Sequence, residues 1–389
     1  MRIPSTWSVF SLILLRALCQ DYETSYADYE TEEESLPEIP PFVEPQETDP
    51  SIFLSNGCAK ECYCPHSYPF AMYCDHRKLK VIPDVPSHIH HLYLQFNNIE
   101  AITAEPFTNA TSLREINLSH NNLRKVGKEA FNKLQHLTRL HLEHNNLEEV
   151  PPSLPKTLQI LHLGFNKISK IPSNTIRDLI NITMLDLCSN RLTDEGIKGK
   201  VLSGFKSLIQ VNMCNNKLKT MPADLPASLL QLSLENNSIT SIPEGYFRKT
   251  PNIISLRVSH NKIKTIPYKT FNLTQLMELN LGYNQLSQTF FVPKNLEHLY
   301  LNHNDYRELN ITLMCPLLDP DSPNMLTYIR LDHNKLKGPM DYHTYTCFPR
   351  MRMIYYGEQQ TAVYFMRRFP LFLKFSNTLS SSLLLPSCQ

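Results

Sequence analysis

The chain has 389 residues, 42% of them hydrophobic, with 38 Lys and Arg against 37 Asp and Glu for a formal net charge of +1. That balance, with the basic residues scattered rather than striped, excludes a nucleic-acid partner. The chain contains no H-E-x-x-H, no G-x-S-x-G and no phosphate-cradling glycine loop, so no enzyme, cofactor or metal site is expected.

Residues 1–19 have a basic start at Arg2, an apolar run from Val9 to Leu15, and small residues at Ala17 and Cys19. This pattern predicts a signal peptide cleaved before Gln20, hence a secreted chain whose cysteines meet oxidising conditions. The apolar run is too short to span a bilayer, and no stable membrane insertion is expected.

Residues 20–57 hold eleven acidic residues, five prolines and no Lys or Arg. Such a stretch cannot build a core and reads as a disordered acidic arm. Tyr22, Tyr26 and Tyr29 lie among its carboxylates and are candidate sulfotyrosines. The arm is suited to basic growth factors or to calcium at a mineral surface such as hydroxyapatite. From Cys58 onward 36 basic residues face 26 acidic ones, so a nearly neutral total conceals a bipolar molecule.

Cys58, Cys62, Cys64 and Cys74 form C-x3-C-x-C-x9-C within residues 58–88, directly before a repeated phrase. Secretion and position favour a two-disulfide cap over zinc, with three pairings open.

Residues 89–314 carry the phrase LxxLxLxxNxL, first as IHHLYLQFNNI. Its asparagines are Asn97, Asn121, Asn145, Asn166, Asn190, Asn216, Asn237, Asn261, Asn284, Asn304 and, after one wider step, Asn334. Spacings of this size mark a leucine-rich-repeat solenoid. The two inner apolar residues of each copy alternate along a short strand and point inward, and stacking the copies makes a parallel sheet over a continuous core. Each asparagine leaves the strand where its buried amide must find backbone partners in neighbouring turns. The expected fold class is an α/β-type repeat solenoid: a curved parallel sheet with a disulfide-capped N-terminus and a C-terminal ear repeat.

Every third repeat is short and enters through proline, as LPKTL, LPASL and VPKNL; the longer ones carry Phe107, Phe131, Phe205, Phe247 or Phe271. Pairs such as Val150-Pro151 and Ile242-Pro243 prevent long helices on the outer side, which should be extended or briefly helical.

Cys188 and Cys214 hold one position in neighbouring repeats and should sit side by side on the exposed face of the sheet. They are expected to be reduced, since lateral pairing across parallel strands strains disulfide geometry. Sequons occur at Asn109, Asn117, Asn181, Asn236, Asn272 and Asn310. Asn117, on a strand, and Asn236, beside the asparagine row, are the least roomy.

The outward strand positions form a long polar face of mixed sign with aromatic ends, suited to an extended protein ligand. The candidate ligand-binding group is Glu278, His298, Tyr300, Tyr328 and Arg330. His91, His141 and His162 are read as surface hydrogen-bonding residues. Cys315 and Cys347 bracket the wide last step and define a clamped ear repeat over residues 315–350. Residues 351–389 are read as a tail ending in the odd Cys388.

The cysteine cap, the short-long-long rhythm, the tyrosine-acidic arm and the paired cysteines around an extended penultimate repeat resemble the small leucine-rich-repeat proteoglycans of extracellular matrix. MYCDHRKLKVIP, EINLSHNNL, LHLEHNNLEEVP, MLDLCSN and MIYYGEQQ carry the resemblance, which covers Cys58 to Gln360. It implies a keratan-sulfate proteoglycan that binds fibrillar collagen, attaches cells through an integrin and has affinity for bone mineral. After Arg367-Arg368-Phe369-Pro370 the resemblance ends: an apolar LFLKFSNTLSSSLLLPSCQ stands where an acidic tail is expected. Mineral binding then rests on the N-terminal arm, and, with no Arg-Gly-Asp, integrin attachment rests on resemblance. The alternative reading is an ectodomain-like leucine-rich-repeat receptor or growth-factor-binding protein.

Overall fold

A computed structural model describes residues 57–360 apart from 173–174, 177, 200, 317–322 and 339. The predicted signal peptide, the arm with Tyr22, Tyr26 and Tyr29, and Cys388 lie outside the described residues.

Thirteen short strands form one parallel sheet in chain order. They are β1 (Ala71–Tyr73), β2 (His91–Tyr93), β4 (Glu115–Asn117), β6 (Arg139–His141), β7 (Ile160–His162), β8 (Met184–Asp186) and β9 (Gln210–Asn212), followed by β10 (Gln231–Ser233), β11 (Ser255–Arg257), β12 (Glu278–Asn280), β13 (His298–Tyr300), β14 (Tyr328–Arg330) and β15 (Met353–Tyr355). A second, two-stranded sheet pairs β3 (Ala101–Ile102) with β5 (Lys125–Val126). The middle residue of each main-sheet strand from β2 to β14 points into the core: Leu92, Ile116, Leu140 and their successors through Ile329 are all at most 2% exposed. A one-residue slip would turn this whole row to solvent, so the repeated apolar pattern fixes the register.

The outer side is extended or briefly helical, as the prolines require. It has 3₁₀ turns at Glu105–Phe107, Glu195–Ile197 and Tyr246–Lys249. Two short helices, α1 (Ile311–Met314) and α2 (His343–Cys347), follow near the C-terminal end. Phenylalanines from successive repeats meet beneath these turns, with Phe107 and Phe131 ring centroids 6.3 Å apart and Phe271 and Phe290 5.4 Å apart.

The asparagines form the expected ladder. Asn121 Oδ1 accepts the Ile99 N–H at 3.0 Å, while its Nδ2 donates to the carbonyls of Leu94 (2.9 Å), Leu118 (3.2 Å) and Ser119 (3.1 Å). Each rung thus joins its own turn to the preceding one, and the pattern repeats to Asn334. A further rung, unforeseen in the sequence, is a glutamine. Gln359 Nε2 donates to Leu331 O (3.0 Å) and Tyr356 O (2.7 Å), and its Oε1 accepts the Leu336 N–H (3.1 Å).

Three expectations are corrected. The cap contributes β1 to the main sheet, so the solenoid begins inside residues 58–88. The tail does not begin at 351, because β15 pairs in register with β14 and Gln359 closes the ladder behind it. Cys188 and Cys214 are joined as a disulfide, with Cα atoms 4.5 Å apart, and are buried rather than on an exposed face. They lie two residues past the ends of β8 and β9, where the chain is turning, so the constraint imposed by flat neighbouring strands does not apply.

The cap pairs Cys58 with Cys64 and Cys62 with Cys74, and Cys74 is fully buried against the first repeat. At the other end Cys315 is bonded to Cys347, tying the end of α1 to that of α2. These bridges restrict the unfolded chain most where the stack has a neighbour on one side only.

Two stability tests follow from this packing. Asn190→Ala removes the acceptor of the Ile168 N–H and one of the two asparagine donors to each of the Leu163 and Leu187 carbonyls, which keep Asn166 and Asn216 respectively. It should cost about 2–4 kcal/mol, read as a lower urea midpoint. Tyr306 is 0% exposed, and its hydroxyl has no hydrogen-bond partner among the described residues. Tyr306→Phe should therefore leave stability unchanged or raise it by up to about 1 kcal/mol in the same assay, and a clear loss would mean that the hydroxyl is satisfied.

Candidate ligand-binding face

Parallel register sorts the outward side chains into two columns. One runs Glu278, His298, Tyr328, Met353 across β12 to β15; the other runs Asn280, Tyr300, Arg330, Tyr355. The five predicted residues are therefore brought together although 52 positions separate Glu278 from Arg330 in the chain. Tyr300 and Tyr328 have ring centroids 5.4 Å apart, and His298 lies 6.2 Å from Tyr328. Glu278 is held from β11 by Arg257 Nε and Ser255 Oγ, each at 2.9 Å. Arg330 donates from Nε to Asp332 Oδ1 at 2.8 Å and lies over the Tyr355 ring at 5.4 Å. Burial, with a smaller contribution from the Glu278 carboxylate, raises the Tyr300 phenol above its ordinary range, and burial also raises Tyr328. Both remain neutral donors. Beside His298 opens a cleft bordered by Glu297, Thr327, Arg350 and Arg352.

Tyr355 belongs to this group and was missed, because MIYYGEQQ lacks the leucines and asparagine of the repeat phrase. Its signal was the alternation of Met353, Ile354 and Tyr355 alone.

The N-terminal half of the face is a histidine-carboxylate network. Glu115 accepts from His91 Nδ1 (3.1 Å) and Arg139 Nη1 (3.2 Å) and lies 3.7 Å from His141 Nε2. His141 stacks on His162, with centroids 4.9 Å apart, and its Nδ1 is 3.9 Å from Glu143. Burial first, then the neighbouring His162, holds His141 down to about 4, so it is a neutral imidazole at pH 7. Burial raises Glu143, whose Oε2 is enclosed without a hydrogen-bond partner among the described residues.

A second feature escaped the sequence reading. The residue preceding each ladder asparagine from Asn97 to Asn334 is left-handed, with φ between 50° and 57°. These side chains form a third column along the sheet edge. His76, Phe96, His120, His144 and Phe165 stack ring on ring with centroids 4.1–4.6 Å apart. His260, Tyr283, His303 and His333 do so again at 3.9–4.1 Å. Between the two stacks stand Ser189, Asn215 and Asn236, joined side chain to side chain by hydrogen bonds. The signal was an aromatic or histidine just before the asparagine in eight of these eleven positions, with His76 extending the column past the first of them.

Of the sequons, Asn109, Asn181, Asn272 and Asn310 are exposed outside the main sheet. Asn310 uses Oδ1 to cap α1 through the Leu313 N–H, which leaves Nδ2 for a glycan. Asn117 is half-buried on β4, with Oδ1 accepting from Ser119 N and Oγ. Asn236 is exposed, but its Nδ2 donates to Asn215.

The leucine rich repeat family profile matches residues 87–147, 156–218, 227–286 and 256–306. Osteomodulin of Bos taurus is 54% identical over 307 residues, spanning 78% of this chain and 73% of the relative. Keratocan of Bos taurus is 42% identical over 309 residues, 76% of this chain and 88% of the relative. Among solved structures, a chain of the octameric complex of Latrophilin 3, Unc5D and FLRT2 (LRR) superposes with a TM-score of 0.59 at 24% identity, over 76% of this chain and 83% of that one. That likeness concerns the fold alone.

The state of His141 gives a signed pH dependence. Its folded value lies below the ordinary 6.5, so between pH 6.5 and about 4 the unfolded chain binds a proton that the native one refuses. Stability is full above 6.5 and is lost as pH falls through that window. His141→Gln should flatten this slope by on the order of 2–3 kcal/mol, measured as urea midpoints at pH 4.5 and 7.5.

Proposed function

The chain belongs to the small leucine-rich-repeat proteoglycans of the extracellular matrix, and we propose that within that family it binds fibrillar collagen through the C-terminal end of its sheet face. The observation that carries this reading is the convergence of Glu278, His298, Tyr300, Tyr328 and Arg330, joined by Tyr355, on four neighbouring strands. Tyr and Arg are the side chains that most often dominate protein interfaces, since each offers a large apolar area with a directional polar end. Here both tyrosines are half-buried and the arginine is held by Asp332, so little side-chain freedom is lost on docking. An extended rod laid across the strands meets carboxylate, imidazole, phenol and guanidinium in turn. These groups match a ligand whose outward side chains alternate in charge and are otherwise rich in proline rings.

The acidic arm is the second contact. Eleven carboxylates without a basic residue support binding to basic growth factors and to hydroxyapatite, and sulfation at Tyr22, Tyr26 and Tyr29 would deepen that charge. Secretion, N-linked keratan sulfate at the exposed sequons, and cell attachment through an integrin complete the proposed role as an organiser of bone and connective-tissue matrix.

The reading is tested by binding of the secreted chain to reconstituted type I collagen fibrils. Replacing Glu278, His298, Tyr300, Tyr328 and Arg330 together by alanine should weaken binding at least tenfold with the urea midpoint little changed. Equal affinity in a folded variant would reject the assignment.

A further inference from the structure

The edge column holds two histidine pairs stacked at 4.1 Å, His120 with His144 and His303 with His333. They differ in what stands beside them. Asp332, immediately before His333, is 2% exposed, and its Oδ2 lies 3.0 Å from His333 Nδ1. Glu143, at the equivalent position before His144, turns instead toward His141. Consequently one nitrogen from each of His303 and His333 and one oxygen of Asp332 fall within 4.8 Å of one another.

We propose that His303, Asp332 and His333 form a binding site for a divalent transition ion of the zinc type. Two imidazoles and one carboxylate are a donor set that zinc favours, and with three protein donors the fourth position stays open to solvent or to a group from another molecule. Calcium, which takes six to eight oxygens, has too few here.

The surroundings support the assignment. Arg330 fixes the Asp332 carboxylate with two donors, Nε to Oδ1 at 2.8 Å and the longer Nη2 to Oδ2 at 3.3 Å, while Oδ2 also faces His333 at 3.0 Å, as outer-shell donors orient ligating carboxylates. The backbone also fixes the spacing: His303 N–H donates to Asp332 O at 2.9 Å, and His333 N–H donates to Glu358 O at 2.6 Å. In the following turn Gly357 has φ +50°, and a Cβ there would come within 2.6 Å of Asp332 Cβ, so only glycine lets that turn close over the carboxylate. His333 is 45% exposed at its side chain, which leaves the imidazoles reachable from solvent.

Binding requires two local changes. The ion takes the place of the proton between His333 Nδ1 and Asp332 Oδ2, which passes to solvent, and one ring turns out of the parallel stack so that both lone pairs converge. His303 Nδ1, now 3.3 Å from Asn302 Nδ2, exchanges that contact for the metal.

The test is calorimetric titration of the full secreted chain with zinc chloride, in millimolar calcium to occupy the arm's carboxylates, together with the visible absorption of Co²⁺ bound in its place. One saturable site is expected, weakened at least tenfold by His333→Ala and by Asp332→Asn, with loss of the tetrahedral Co²⁺ bands. His120→Ala should leave both readings unchanged. Circular dichroism and the urea midpoint establish that each variant is folded. Identical isotherms in wild type and both site variants, loss of the site in His120→Ala, or no saturable binding at all would overturn the proposal. Because Asp332, His303 and His333 are outside the group replaced in the collagen assay, either result stands independently of that one.

Discussion

The structure depends on one recurring side-chain hydrogen-bond set. Where the chain leaves each strand, carbonyls of the inward leucines and an N–H of the preceding turn are buried away from water, and the asparagine amide is the group that satisfies both. An amide offers acceptor and donor at one short reach, and glutamine, one methylene longer, supplies the same pair of groups from the same place in the turn. The solenoid shows both solutions: Asn97 through Asn334 use the first, and Gln359 uses the second at the last turn. Without these rungs the leucine row would still be apolar, but its turns would carry orphaned backbone groups, and the stack would lose the feature that sets each turn on its neighbour.

The ladder has a consequence for the surface. To bring the amide inward, the preceding residue adopts the left-handed conformation, unfavourable for an L-residue by roughly 1–2 kcal/mol. None of the eleven is glycine. Histidine and asparagine tolerate this region better than most, and the geometry itself returns something: identical φ values at the spacing of parallel strands place successive side chains face to face. Planar rings at that spacing stack, and small amides hydrogen-bond. The columns His76 to Phe165 and His260 to His333 are therefore products of the same backbone turn that the asparagines require.

This explains what was legible beforehand. Leucine and asparagine offsets are properties of a single chain position repeated many times, so fold, register and sheet face could be read directly, and Glu278, His298, Tyr300, Tyr328 and Arg330 could be placed on that face. The edge column could not be read in the same way, because in-out alternation assigns no direction to a residue beyond the strand, and a positive φ leaves no mark in composition when the residue is His or Phe. Cys188 and Cys214 were misjudged for the same reason. Treated as strand residues they should resist lateral pairing, but they lie in the turn, with Cα atoms 4.5 Å apart. β15 was missed because its rung is a glutamine.

The distribution of these features along the solenoid separates support from recognition. The central repeats are joined by the Cys188–Cys214 disulfide, and beside it Ser189, Asn215 and Asn236 are hydrogen-bonded to one another. Toward either end the same positions carry rings, and the sheet face carries histidines, tyrosines and paired charges: Glu115 with His91 and Arg139 on one side, Glu278 with Arg257 and Arg330 with Asp332 on the other. A stack held covalently at its middle and capped by disulfides at both ends keeps its end surfaces at a fixed separation. Under the proposed reading, a long, repeating ligand would gain from this arrangement, because two contact regions reinforce each other only if the span between them does not have to be ordered at the moment of binding.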